Sequence, residues 1–186
     1  MEADVTDKYL ILVNPWHKCP EYLDFNIIDI NSNYAENRFA EEKTFKAFLK
    51  LKEYALEKGY DIEIESGYRS AQYQQKVFDN CVNQKGLDSA KEYVAIPGYS
   101  EHHTGLALDI CLKKDDKFII EHNLPDEFKI FLRDNVYKFG FIIRYPQGKE
   151  KITGYNYEPW HIRYVGNIAE YIYKNTSSLE EYLNND

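Results

Sequence analysis

Apolar residues recur along this chain with two different periods, and the alternation between them lays out the elements. Tyr-Leu-Ile-Leu-Val at 9–13 is an apolar run broken by Asn14-Pro15, which predicts a short buried strand. Between Glu36 and Glu57, Phe39, Phe45, Phe48, Leu49 and Leu56 return at near-helical spacing among Lys and Glu, and Gly59 supplies a stop. Asp61-Ile-Glu-Ile-Glu-Ser66 alternates with period two, as a half-buried strand does. Ser70 can then cap a helix through Phe78 and Val82 to Gly86, and a shorter helix covers Ser89 to Val94. Gly105–Cys111 reads as a strand, and Lys113–Lys117 as a charged turn leading into Phe118–Ile120. Pro125-Asp126 opens a helix with Phe128, Phe131, Leu132 and Val136 on one face and Gly140 at its end. Phe141–Arg144 and His161–Val165 predict two more strands, and Asn167–Leu183 predicts one or two amphipathic helices. This order lacks the regular beat of a doubly wound sheet. The expected fold class is α+β, a small antiparallel sheet packed against helices, in one domain over residues 1–186.

Composition narrows the function classes. At 186 residues, 44% hydrophobic and 16% aromatic, the chain suits a globular domain with a real core. A net charge of −8 argues against nucleic acid or an anionic membrane as the main partner. No apolar run reaches membrane-span or signal-peptide length, so the expectation is a cytoplasmic protein, the alternative being export with its leader removed. The three cysteines, Cys19, Cys81 and Cys111, form no CxxC pair, which excludes a zinc ribbon or thioredoxin motif.

Chemistry concentrates in three segments: Ser66–Ser70, Ser100–Asp109 and Glu158–His161. Phosphate-loop, dinucleotide and HExxH patterns are absent. Gly98-Tyr-Ser-Glu-His102 misses a nucleophile elbow because its fifth residue is His. On the strand after Gly105, Ala107, Asp109 and Cys111 share one face, so Asp109 is a carboxylate beside small residues on an apolar strand, a costly place unless partnered. His102 lies in the turn entering that strand. Pro159 keeps Glu158 and His161 out of a helix and puts them at a loop-to-strand junction. Two histidines and a carboxylate make a three-ligand zinc set with a fourth position open, Glu158 remaining as a base and Arg69 as a cationic donor. The plainer reading makes Asp109 a buried partner of Arg69, and Glu158 a partner of Arg163.

Taken together, these segments resemble the zinc D,D-peptidases of the vancomycin-resistance VanX/VanY type, within the wider group that includes the hedgehog signalling domain. The pattern SxHxxGxAxD is met by Ser100, His102, Gly105, Ala107 and Asp109, and ExWH by Glu158, Trp160 and His161. Ser66 to Ser70 supply SGYRS, Gln74 matches a glutamine of the next helix, and the similarity runs from about Tyr9 to Gly166. The resemblance implies one Zn2+ per chain on His102, Asp109 and His161, Glu158 as catalytic base, and Arg69 stabilising the tetrahedral intermediate. Ser100, Gln74, Tyr68 and Trp160 line the substrate site in this reading. His103 departs from the glutamine many relatives carry and is expected to be a bystander. The implied substrate is a D-Ala-D-Ala terminus, as a muramyl peptide or the free dipeptide, with the cytoplasmic bifunctional members closest. An L,D-carboxypeptidase acting on tetrapeptide stems, or a zinc-bearing module without hydrolysis, are the alternatives. Arg69, Arg144 and Arg163 are expected to give a carboxylate-ended substrate a locally positive field.

Overall fold

The structure is a computed structural model and describes residues 7–31 and 37–184. Its strands are β1 (Ile27–Asp29), β2 (Phe39–Glu41), β3 (Asp61–Ser66), β4 (Ala107–Lys114), β5 (Lys117–Ile119), β6 (Phe141–Tyr145) and β7 (Glu158–Tyr164). Its α-helices are α1 (Glu42–Glu57), α2 (Ala71–Lys85), α3 (Leu87–Tyr93), α4 (Asp126–Asn135), α5 (Glu150–Thr153), α6 (Ala169–Tyr171) and α7 (Leu179–Asn184). A five-stranded antiparallel sheet has the order β3-β4-β7-β6, with β5 paired to β4, and β1 and β2 form a separate pair. The α+β expectation holds.

The central strand β4 is buried along Ala107–Leu112, and the alternation of β3 turns Ile62 and Ile64 into the core. Phe48, Leu51 and Ala55 of α1 and Phe128, Phe131 and Leu132 of α4 pack against that sheet. Aromatic rings close the seam: Tyr60 lies 4.7 Å from Phe131 and 5.1 Å from Phe128. A second cluster, Ile142, Val165, Ala169, Ile172 and Leu179, seats the C-terminal segment on β6. Ser70 caps α2 by accepting from Tyr73 N, and Gly86 ends it, as the pattern predicts.

Several boundaries differ from the expectations, each for a physical reason. Residues 9–13 are not a strand: Asp7–Leu10 form a 3-10 turn, and the carbonyls of Tyr9 and Ile11 take hydrogen bonds from Arg163 Nη2 instead of a neighbouring strand. The first long helix begins at Glu42, because Phe39–Glu41 pair with β1 and the Glu41 carboxylate caps Thr44 N; Glu36 lies outside the described residues. Its inward face is Thr44, Phe48, Leu51 and Ala55, leaving Leu49 and Leu56 exposed. β7 begins at Glu158 rather than at His161, which leaves Glu158 at the loop-to-strand junction, and a register irregularity in the β6–β7 pairing accommodates Pro159, which has no N–H to donate. The tail divides at Ser177, whose φ of 70° breaks the helical path between α6 and α7. Among the described residues no helix is long and apolar enough to cross a membrane.

Candidate metal centre

Sheet register assembles the centre. Ser66 pairs with Asp109 across β3 and β4, and Asp109 pairs with His161 across β4 and β7, which puts the three in one row. Opposed residues of neighbouring strands lie about 5 Å apart, so this row carries the Asp109 and His161 side chains to a shared point. His102 arrives from a 3-10 turn, Glu101–Thr104, that Gly105 ends with φ +73°. A Cβ at Gly105 would stand 2.5 Å from Ile27 Cδ1 and 3.0 Å from Glu41 N, so only glycine fits. Gly67 approaches equally closely, since a Cβ there would meet Phe39 O at 2.2 Å. That approach leaves Gly67 O 2.7 Å from His102 Nδ1.

One ligand atom from each of His102, Asp109 and His161 lies within 4.8 Å of the others, and all three residues are buried. Their protonation is legible from their partners. Gly67 O can only accept, so His102 Nδ1 carries the proton and Nε2 presents a lone pair, 3.1 Å from Asp109 Oδ2. Burial, reinforced by Arg69, lowers the His102 pKa to about 4, which keeps the ring neutral. Burial penalises the Asp109 charge, but its partners, the charged His161 ring among them, outweigh it and hold that carboxyl well below the usual range. Asp109 Oδ1 lies 3.1 Å from His161 Nδ1, yet the ring N–H direction misses it, and this buried oxygen has no hydrogen-bond partner. Two imidazoles and a carboxylate that converge on one point, with an orphaned carboxylate oxygen among them, are the donor set of a divalent cation, and nitrogen with oxygen donors suits zinc. The residues fit the metal.

Around the triad lies a cavity of about 250 Å³. Arg69, Gln74, Ser100, Glu158 and Trp160 line it, as do Tyr145 and Tyr155, two tyrosines that flank the motif segments in sequence, and His122, which the sequence pattern does not single out. Glu158 sits with Oε2 3.8 Å from His161 Nδ1, and burial pushes its pKa up to about 8. Arg69 donates from Nη2 to Asp109 Oδ2 at 2.8 Å and from Nε to Ser66 Oγ at 3.0 Å. Gln74 donates to Ala95 O at 2.7 Å, which leaves its buried Oε1 without a partner. Trp160 meets His122 edge to face at 4.7 Å.

Tyr68 is placed elsewhere: it lines a separate cavity with Lys18, Phe25 and His103. His103 is held by its fold contacts, Nδ1 on Arg69 O at 2.7 Å and Nε2 accepting from Gly98 N at 3.0 Å. Arg144 and Arg163 do not face the cavity either. Both are fully buried and share Glu101 Oε1, each at 2.6 Å, so neither adds free positive charge to the site, and Arg163 partners Glu101 rather than Glu158.

The description D-alanyl-D-alanine carboxypeptidase belongs to the VanY family, whose pattern matches residues 37–167. The chain belongs to the VanY family. It is 42% identical to YodJ of Bacillus subtilis (strain 168) over 184 residues, 95% of this chain and 67% of that protein. It is also 42% identical over 125 residues to the bifunctional D-Ala-D-Ala dipeptidase and D-Ala-D-Ala carboxypeptidase VanXYC of Enterococcus gallinarum, 66% of each chain. The chain thus spans about two thirds of the length of both relatives. Among solved structures, VanYB in complex with D-alanine-D-alanine superposes with TM-score 0.84 at 34% identity, covering 96% of this chain and 98% of that one. A glutamate-to-alanine variant of a VanY D,D-pentapeptidase in complex with Zn(II) gives TM-score 0.83 at 33% identity, covering 95% of this chain and 99% of that one. The LD-carboxypeptidase LdcB gives 0.82 at 39% identity, covering 95% and 86%. As a VanY-family member with this triad, the chain is a zinc metallopeptidase, and the expected peptidase fold holds.

Proposed function

We propose that the protein hydrolyses the terminal D-alanyl-D-alanine bond of peptidoglycan-precursor peptides, and the same bond in the free dipeptide. In this reading His102 Nε2, an Asp109 oxygen and His161 Nδ1 hold one Zn2+ per chain. The observation that carries it is the convergence of these three donors within 4.8 Å, in the cavity that Glu158 and Arg69 also line.

When bound, zinc supplies Lewis-acid charge and acidifies water. The chain's own groups do the rest. A Glu158 carboxyl held near neutrality by burial can take a proton from the attacking water and return it to the leaving amine. Arg69 grips Asp109 Oδ2, which leaves Oδ1 for the metal, and its cationic head opposes negative charge growing on the scissile carbonyl oxygen. Gln74 Oε1, buried and unpartnered, is an acceptor for a substrate N–H, and Ser100 and Trp160 complete the wall. Tyr68 keeps no part in this reading, since it faces the separate cavity. The likeness to VanXYC and the three free thiols support a cytoplasmic place of action.

The likeness to LdcB supports a second reading, removal of D-alanine from a tetrapeptide stem through the same centre. D-alanine release from D-Ala-D-Ala, tetrapeptide and pentapeptide, measured with zinc present, separates them. Turnover of pentapeptide above tetrapeptide is expected. Release from the tetrapeptide alone establishes the second reading, and release from none of the three overturns both.

A further inference from the structure

A buried chain of charge joins the C-terminal helix to the metal triad. Glu180, in α7, takes Arg144 with both carboxylate oxygens, Nη1 to Oε2 and Nη2 to Oε1, each at 2.8 Å. Asn14 Nδ2 adds a third bond to Oε1 at 3.0 Å. Arg144 Nε and Arg163 Nη1 then donate to the same oxygen, Glu101 Oε1, both at 2.6 Å. That saturates Oε1 and turns Oε2 toward His161 Nε2 at 3.4 Å. The side chains of Arg144, Arg163 and Glu101 are 0% exposed and that of Glu180 is 5% exposed, so water screens none of these charges effectively.

The charges balance as two guanidinium groups against two carboxylates. Without Glu180, two buried cations would compete for one carboxylate, and Arg144 would keep only Glu101 and a 3.4 Å contact to Val13 O. A buried ion whose partner is lost moves or draws in water. Either response reaches Glu101, and through it the imidazole whose other nitrogen faces the metal.

We propose that Glu180 is a positioning residue for the metal centre. By fixing and neutralising Arg144 it holds Glu101 with Oε2 on His161 Nε2, which directs His161 Nδ1 toward Asp109 and the metal. Groups that hydrogen-bond to a ligating histidine set its tautomer and ring orientation, and here the support extends to a third residue. Glu180 lies beyond residues 37–167, the part of the chain that matches the family. The inference rests on the zinc site proposed above.

The test is the zinc dissociation constant of the full chain, read by competition with a chromogenic chelator. Glu180→Gln keeps the volume and removes the charge, and is expected to raise the constant about tenfold or more. Glu180→Asp keeps the charge with a shorter reach and should fall between the two. Leu179→Ala deletes a fully buried side chain on the same helix and serves as the structural control: its Tm falls while its zinc constant stays at the wild-type value. A Glu180→Gln constant within twofold of wild type overturns the proposal, as does a Leu179→Ala variant that loses zinc equally. If Glu180→Gln does not fold, Asn14→Ala, which removes the second partner of Glu180 Oε1, is read with the same two outcomes. Wild-type protein that takes up no zinc overturns the site itself, whereas wild-type binding with no effect of Glu180→Gln overturns this inference alone.

Discussion

Asp109 and His161 stand opposite each other on β4 and β7, with Asp109 Oδ1 3.1 Å from His161 Nδ1 and no hydrogen bond joining them. The two attract as an ion contact, but the unmade hydrogen bond leaves Oδ1 available to a cation. Asp109→Asn keeps the shape and removes the charge, so zinc affinity is expected to fall by more than the roughly 10–100-fold that losing a supporting hydrogen bond costs. Chelator competition on the variant checks this, and an unchanged constant would remove Asp109 from the ligand set.

Metal uptake should be coupled to protons. In the metal-free protein burial disfavours a charged His161, but Asp109 and Glu101 outweigh it and lift its pKa to about 9. Zinc on Nδ1 must displace that proton. Affinity is therefore expected to rise about tenfold per pH unit below about 9 and then level off. Metal-free stability runs the other way. A raised folded-state pKa stabilises fully below the ordinary value of 6.5, and that contribution is lost as pH rises through about 9. Zinc constants that do not move with pH would exclude the displaced proton; melting curves of the chelated protein check the second half.

Part of this centre was legible in the sequence and part was not. The strand read after Gly105 places Asp109 among small and apolar residues, and the motif spacing singles out His102, Glu158 and His161. Register was not legible, because nothing local says that Asp109 pairs with His161 rather than with a neighbour two residues away. The family resemblance puts Tyr68 in the pocket, but adjacent residues of an extended segment point to opposite sides, and beside Arg69 the Tyr68 side chain faces a different cavity. Glu101 is not legible locally, because a glutamate in a polar turn reads as a surface residue. The signal that could have found it is distant: Arg144 and Arg163 interrupt otherwise apolar strands, and each needs a buried carboxylate.

Removing that carboxylate should be severe. Glu101→Ala leaves Arg163 without its carboxylate partner and strips Arg144 of one of its two. Breaking a buried ion pair from one side costs about 3–5 kcal/mol. Denaturant unfolding of the variant should show a loss in that range, and a loss below about 1 kcal/mol would mean that water reaches the two arginines.

Gly105 offers a test of the turn that delivers His102. Its φ of +73° costs a non-glycine residue about 1–3 kcal/mol, and the added Cβ must also displace Ile27. Gly105→Ala is expected to lower stability by at least that amount and to weaken zinc binding, since the same turn carries the ligand. Full stability in the variant would show that the β1–β2 pair yields freely.

Glu158 separates chemistry from metal binding. It pairs with Tyr145 at the start of β7 and lies 3.8 Å from His161, close enough to share the cavity but outside the three-donor set. Its raised pKa, about 8, comes first from burial, so a carboxylate here is readily protonated and the acid readily deprotonated near neutral pH. That is the requirement for a group that takes a proton and gives it back in one turnover. Glu158→Gln preserves the outline and abolishes the exchange. D-alanine release from the pentapeptide is expected to fall about 10²–10⁴-fold while bound zinc stays at the wild-type amount. A variant that keeps more than about a tenth of the wild-type rate would assign the proton to another group, and Glu121, His122, Tyr145 and Tyr155 in the same cavity would be the next to substitute.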